Sequence, residues 1–461
     1  MAMQKTVSPV DGSVYVEREL ADSATIDEVL RRAETAQHQW RETTIDERAR
    51  LCSAMVDAFV ARRDVLAEEL TWQMGRPIGA GGGEIGGFEE RARGMIALAD
   101  EALAPIRLAD KPGFTRYITR EPLGVSLIVA PWNFPFMTAV NAIVPAIMAG
   151  NTVVLKHSAQ TPLCAERIQQ AFDDAGLPDG VFQHLHMSHE ATEAVIRDPR
   201  IAHVSFTGSV AGGAMVERNS AGRFIATGLE LGGKDPAYIR ADVDLDDAVP
   251  GVMDGAFFNS GQSCCGIERI YVHRDIFDVF VERAVAWVKQ LELGSPTDPD
   301  TTLGPLVKPA AADFVRGQVE GAVAAGARAW IDPGDYPLSV PGSAYLAPQV
   351  LTGVDHSMRV MTEESFGPVV GIMAVDSDDA AVQHMNDSVF GLTAAIFTRD
   401  IEVGEALAKR LEAGTVFTNR CDYLDPELAW TGVKHSGRGC SLSRIGYETL
   451  TRPKSFHLKH A

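Results

Sequence analysis

From Gly124 to Lys156 the chain reads GVSLIVAPWNFPFMTAVNAIVPAIMAGNTVVLK, and no charged residue falls between Pro122 and Leu155. A membrane-crossing helix needs about 20 uninterrupted apolar residues. Pro131, Pro135 and Pro145, with Asn133, Asn141, Gly150 and Asn151, cut this run into shorter pieces. The spacing predicts a buried strand over Val125–Ala130, a helix over Ala139–Ala149 and a second strand over Thr152–Lys156.

The alternation continues downstream. Leu163–Ala175 reads as a helix, Val181–His186 as a strand, Thr192–Arg197 as a helix and His203–Thr207 as a strand. Strands separated by helices imply a parallel, doubly wound sheet. A second alternating set follows Gly233: Ala237–Arg240, Ala248–Asn259, Glu268–Val272, Ile276–Leu291, Val350–Thr352 and Val369–Val375. Upstream, Ala24–Ala36, Asp46–Arg62 and Arg63–Gln73 carry apolar residues at helical spacing. Gly75 and the cluster Gly79–Gly83 punctuate, and Gly86–Ala104 reads as a further helix. Phe114–Arg120 alternates like an exposed or edge strand. The fold class is therefore α/β, with two doubly wound domains.

A chain of 461 residues, 46% hydrophobic and 23% charged, can bury more than one core. Its net charge of −20 disfavours nucleic acid and anionic membranes as partners. Cys52, Cys164, Cys264, Cys265, Cys421 and Cys440 form neither a CxxC pair nor a disulfide framework, and a reducing compartment is the simpler reading. The first residues lack an apolar signal segment, so the expected location is cytoplasmic.

Two motifs carry chemistry. Asn259-Ser260-Gly261-Gln262-Ser263-Cys264-Cys265 offers a thiol in a Gly-containing loop. Glu230-Leu231-Gly232-Gly233-Lys234 offers a carboxylate at a Gly-flanked turn. A thiol that attacks a carbonyl and a carboxylate that activates water suffice to make and hydrolyse a thioester. A lone cysteine in a long chain is more often a buried filler; the surrounding motifs reverse that reading.

Seven motifs in register do so. They are Pro131-Trp132-Asn133-Phe134-Pro135, Gly150–Lys156, Phe206-Thr207-Gly208-Ser209, Glu230–Lys234, Gly261–Cys264, Glu363-Glu364-Ser365-Phe366-Gly367-Pro368 and Gly432–Gly437. Together they make the chain resemble the aldehyde dehydrogenase superfamily over nearly its whole length. The resemblance implies Cys264 as nucleophile, Glu230 as general base and Asn133 as oxyanion donor beside the Cys264 N–H. It implies NAD or NADP as cofactor and an aldehyde as substrate. For the cofactor it points to Lys156, Gly208 and Ser209, to Gly213 and Leu231, and to Trp132, Glu364 and Phe366. For the substrate pocket it points to Phe134, Asn141 and Phe258, to Ser263 and Cys265, and to Asp422 and Trp430.

The resemblance also implies a division of the chain. Residues 1–110 and 122–232 form the dinucleotide-binding domain and 233–447 the catalytic domain. Residues 111–121 and 448–461 supply strands that pair between subunits of a homodimer or homotetramer.

Four departures matter. Lys156-His157-Ser158-Ala159 lacks the glutamate common three residues after the lysine, which opens the site to NADP. Ala142 and Ser441 stand where many members place a lysine–glutamate proton relay, so the proton of Glu230 is expected to leave through water or backbone groups. Asn141 stands where succinate semialdehyde oxidisers usually place arginine. Ala429-Trp430-Thr431-Gly432 carries a tryptophan, with Asp422, Asp425 and Glu427 nearby, which favours a small neutral or cationic aldehyde. Against that, Trp430 reads equally as an apolar wall and the acids as a solvated loop. Succinate semialdehyde is the alternative substrate, with Arg420 as a basic group that could enter the pocket. A CoA-acylating relative and a non-catalytic relative are the competing functions; the presence of both Cys264 and Glu230 weighs against them.

Overall fold

The computed structural model describes residues 2–460. Its first sheet has six strands, with Val125–Val129 inside it. Thr152–Lys156 and Phe182–His184 extend it on one side, and Ile201–Thr207 and Ala226–Glu230 on the other. These five run parallel. Val125–Val129 and Thr152–Lys156 are buried at every position, which is why they read as unbroken apolar runs rather than as alternation. Gly437–Arg438 closes the outer edge antiparallel to Glu230 and Leu229.

The chain builds this sheet outward in one direction, then returns to the other flank. The strand order therefore reverses between Val125–Val129 and Ile201–Thr207. A crevice opens at the carboxyl ends of strands at such a reversal, and ligands bind there in open α/β sheets. Here those ends lead into Pro131-Trp132-Asn133 and Gly208-Ser209.

A second sheet has the order Arg328–Ala329, Gln349–Thr352, Val369–Val375, Ile267–His273, Asp235–Ile239, Thr393–Phe397, Thr415–Thr418. All but the first of these strands are parallel. Thr393–Phe397 and Thr415–Thr418 were not anticipated, and neither was an N-terminal hairpin of Met3–Val7 with Val14–Glu19. A small third sheet pairs Phe114–Pro122 with Thr451–Lys459 along their full length, with Ile106–Arg107 at its edge.

One expectation fails. The glycines at 79–83 do not interrupt the chain: a single helix runs from Ile78 to Leu103. Close packing explains Gly81 in that cluster and Gly87 and Gly94 further along the helix, whereas Gly83 has open space around it. A Cβ on Gly81 would come within 2.9 Å of the Ala67 Cβ, one on Gly87 within 2.1 Å of Met137 Sδ, and one on Gly94 within 2.7 Å of Pro426. The glycines let this helix lie hard against its neighbours, and that closeness outweighs their low helix propensity. The helix brings Glu84, Glu90 and Arg91 to the site.

Candidate active site

Cys264 follows a distorted loop. The helix Leu245–Phe257 gives way to a single 3-10 turn over Phe258–Gly261. Asn259, Ser260 and Gly261 all have positive φ, at 52°, 56° and 70°. Two non-glycine residues in the left-handed region cost energy, and such strain persists only where the surroundings fix it. Here they do. Ser260 Oγ donates to the Gly304 carbonyl at 2.9 Å, and Gln262 Oε1 accepts from the Val307 N–H at 2.9 Å. A Cβ at Gly261 would stand 2.2 Å from the Gly367 carbonyl oxygen, so this position must be glycine.

Asn133 is buried in the middle of the Pro131–Pro135 turn. Its amide donates to the Gln262 carbonyl at 3.1 Å, and its own carbonyl accepts from Asn259 Nδ2 at 3.2 Å. Two residues that the sequence did not single out hold this turn. Arg76 donates to the Asn133 carbonyl at 2.5 Å and pairs with Glu84, both side chains fully buried. Glu84 also accepts from the N–H groups of Phe136 and Met137 at 2.9 and 3.0 Å, which caps the helix Pro135–Met148. Removing either partner would strand a buried charge, a loss of about 3–5 kcal/mol. Neither has a motif; the helical register of an acid in a glycine-rich segment was the one available signal.

Glu230 ends the strand Ala226–Glu230. It accepts from Thr207 Oγ1 at 3.1 Å and from Ser441 Oγ at 2.5 Å. Burial raises its pKa above the ordinary carboxylate value, and the two hydroxyls partly oppose that rise. Ser441, one half of the missing relay, is thus in direct contact with the carboxylate.

Two cavities meet at Cys264, Glu230 and Thr207, each of which lines both. The first, about 240 Å³, lies at the strand-order reversal, walled by Trp132, Asn133, Gly208, Ser209, Leu231, Gly232, Glu364 and Phe366. It suits a dinucleotide on three grounds. Ser209 caps the helix Val210–Ser220 by accepting from the Gly212 N–H, and a helix start favours a phosphate anion. A Cβ on Gly232 would lie 2.5 Å from the Glu364 carboxylate, so bare backbone keeps the space open. Burial pushes Glu364 up to about 7, and a ribose hydroxyl would give it a donor. Trp132 and Phe366 meet edge to face at 5.6 Å. Lys234 and Glu268 form a buried pair beneath them, and Glu268 accepts from the Ser365 and Phe366 N–H groups.

Lys156 and Gly213 do not line this cavity. Lys156 is buried at its strand end, its ammonium pushed down to about 8 by burial. Gly213 packs under Leu231, whose methyls would lie 2.7 Å from an added Cβ.

The second cavity, about 360 Å³, is bordered by every residue expected of the substrate pocket: Phe134, Asn141, Phe258, Ser263, Cys265, Asp422 and Trp430. Two expectations about it change. Of the three acids near Trp430, only Asp422 reaches the wall. Asp425 and Glu427 lie outside it: Asp425 accepts from the Glu427 N–H at 2.9 Å within its own turn, and Glu427 is exposed. Arg420 also stays out, stacked on the Tyr423 ring at 3.6 Å. Arg91, from the glycine-rich helix, lines the pocket instead, with Glu90 and Asp254. Cys265 donates to Asp422 at 2.8 Å, and Ser263 donates to it at 3.3 Å. Its hydrogen bond with Cys264, together with burial, pushes the Cys265 thiol well up. That leaves it a poor nucleophile.

A profile of the aldehyde dehydrogenase family matches residues 2–456. The chain belongs to the aldehyde dehydrogenase family. It is 38% identical over 455 residues to a succinate-semialdehyde dehydrogenase [NADP(+)] of Mycobacterium tuberculosis, covering 98% of both chains. Succinic semialdehyde dehydrogenase of Streptococcus pyogenes, crystallised with NADP+, superposes with a TM-score of 0.93 at 29% identity, covering 99% of this chain and 100% of that one. Betaine aldehyde dehydrogenase of Staphylococcus aureus with NAD+ superposes with a TM-score of 0.93 at 28% identity, covering 99% and 91%. The activity of this dehydrogenase is the NAD(P)-dependent oxidation of an aldehyde. No helix among the described residues is long and apolar enough to cross a membrane.

Proposed function

We propose that Cys264, Glu230 and Asn133 carry this oxidation through a thiohemiacetal and a thioester, and that water completes it. The meeting of two cavities at Cys264 and Glu230 is the observation that carries the reading. The Cys264 thiol gives up its proton to water as its sulfur attacks the aldehyde carbon. The Asn133 amide and the Cys264 N–H steady the resulting oxyanion. Trp132, Glu364 and Phe366 would hold a nicotinamide, which would accept the hydride that converts the thiohemiacetal to the thioester. Glu230 then takes a proton from water as that water attacks the thioester.

For the cofactor, NADP use is the reading. Ala159 is exposed in the turn after Thr152–Lys156, and its carbonyl accepts from Thr6 at 2.8 Å. No carboxylate from this position opposes a 2′-phosphate. Ala159→Glu is expected to shift kcat/KM toward NAD by like-charge repulsion. Unchanged NADP efficiency would show that residue 159 does not face the ribose.

For the substrate, a small neutral or cationic aldehyde is favoured. Glu90, Asp254 and Asp422 outnumber Arg91 on the wall, and Trp430 is buried beside them. Arg91 also has acids of its own: Glu84, Glu230 and Asp422 all lie close enough to act on its charge. Succinate semialdehyde is the second reading, because Arg91 is a cation inside the pocket and the mycobacterial relatives carry that name. Aminobutyraldehyde, butyraldehyde and succinate semialdehyde, assayed with parent and Trp430→Ala, separate the two. The first reading expects KM to rise most for the amino aldehyde, since a stacked cation gains roughly 0.5–2 kcal/mol. A clear preference for the carboxylate substrate, lost in Arg91→Ala, would establish the second.

Residues 1–110 with 122–232, and 233–447, are proposed as the cofactor-binding and catalytic domains. The remaining strands are proposed to pair between subunits. Thr451–Lys459 is largely exposed on its free side, and an open edge calls for cover. A dimer or tetramer is therefore expected at micromolar concentration in sizing with light scattering; a monomer would contradict this. Six unpaired cysteines fit a cytoplasmic location.

A further inference from the structure

A third cavity, of about 30 Å³, also reaches Glu230. Its inner wall includes Ser441, Asn141, His203 and Ser205, and its outer end is formed by Arg438 and Gly439, both exposed at the surface. A water needs roughly 10–15 Å³ of such space and two to four polar partners. The wall supplies them. Both side-chain polar atoms of Asn141 and the Nδ1 of His203 have no protein partner, although each residue is only 2% exposed. Buried polar atoms in native proteins are nearly always bonded, to water if not to protein. Asn141 lines the substrate cavity as well, but His203 does not. Nothing in binding an aldehyde or a dinucleotide accounts for His203, whose ring is held neutral by burial.

We infer that this cavity is a hydrated exit for the proton that Glu230 gains in deacylation, with Ser441 as first carrier and Asn141 and His203 as positioning residues for the water. The inference rests on the reading of Glu230 as the base. When water attacks the thioester, its oxygen bonds to the acyl carbon and its proton passes to Glu230. The carbon–sulfur bond breaks, and the electron pair leaves with the Cys264 sulfur. Protonated Glu230 then donates to Ser441 Oγ while the serine proton passes to water in the cavity. From there it moves to solvent between Arg438 and Gly439. The serine hydroxyl turns back and again donates to the carboxylate, as in the resting structure. Glu230 and Ser441 regain their resting charge and proton count, the Cys264 sulfur, released as thiolate, regains its proton from water, and Ala142 takes no part.

Two substitutions probe the route at different points. Ser441→Ala removes the carrier. Gly228→Val fills the cavity without touching Glu230's hydroxyl partners: a Cβ on Gly228 meets nothing nearer than Ser205 Oγ at 4.0 Å, and the position is an ordinary strand residue. The assay uses p-nitrophenyl acetate without cofactor. The burst of nitrophenolate counts acylated sites, and the steady rate per burst site reports hydrolysis. Both variants are expected to keep the burst. Both are expected to slow the steady rate several-fold, short of the roughly 10²-fold or more lost with the base itself, and to enlarge its solvent deuterium isotope effect. Ser441→Thr is expected to restore both. If either Ser441→Ala or Gly228→Val hydrolyses at the parent rate with the parent isotope effect, the exit lies elsewhere. A parent enzyme without a burst would instead remove the acyl-enzyme reading on which the inference rests.

Discussion

Cys264→Ala is expected to abolish dehydrogenase and esterase activity, a loss of at least about 10⁴-fold, while Cys265→Ala keeps most of both. The two thiols are adjacent in sequence and very different in setting. Cys264 stands where the two cavities join. Cys265 is buried, donates a hydrogen bond to Asp422 at 2.8 Å, and lines only the larger cavity. The hydrogen bond with Cys264 that raises its pKa is lost in Cys264→Ala, but burial and the Asp422 charge still raise it, and a thiol so placed is a poor nucleophile near neutral pH. It cannot take over when its neighbour is removed. Steady-state rates of both variants on one aldehyde decide the matter. A dead Cys265→Ala with an active Cys264→Ala would reverse the assignment.

Glu230→Gln is expected to cost about 10²–10⁴-fold in steady turnover, with acylation spared. Reduced cofactor should then appear as a burst of one per site, followed by a slow phase. The amide keeps the hydrogen-bonding size of the side chain, so Thr207 and Ser441 retain a partner and the fold is not challenged. pH adds a second signature. Glu230 works as a base only when ionised, and burial raises its pKa above the ordinary 4.5. Deacylation in the parent should therefore fall on acidification from a higher pH than a solvated glutamate would dictate. The residual rate of Glu230→Gln should lack that limb. Parent-like turnover in the variant would remove Glu230 from the base role.

The parallel sheet around Val125–Val129 was legible because both faces of its strands are buried, which leaves unbroken apolar runs with turns between them. The residues proposed to react drew notice for a different reason. Cys264, Glu230 and Asn133 each lie in a short motif whose glycines or prolines set the local backbone. Arg76, Glu84 and Arg91 were not legible. They act across long sequence separation, from a segment whose glycines read as breaks. Gly81 there, with Gly87 and Gly94 further along the same helix, serves close packing against Ala67, Met137 and Pro426, which no local pattern encodes. The acids beside Trp430 failed similarly. Asp422, Asp425 and Glu427 are near neighbours in sequence, but one faces the pocket and two face away, since loop direction is set by tertiary contacts. Thr415–Thr418 escaped notice because a short, half-buried strand has neither strict alternation nor a continuous apolar run.

The most direct test is to trap the acyl-enzyme. Glu230→Gln protein mixed with aldehyde and NADP, quenched in acid and fragmented by mass spectrometry, is predicted to carry one acyl group per chain on Cys264, matched by one equivalent of reduced cofactor. An acyl group on Cys265, or full cofactor reduction with no adduct at either sulfur, would contradict the account.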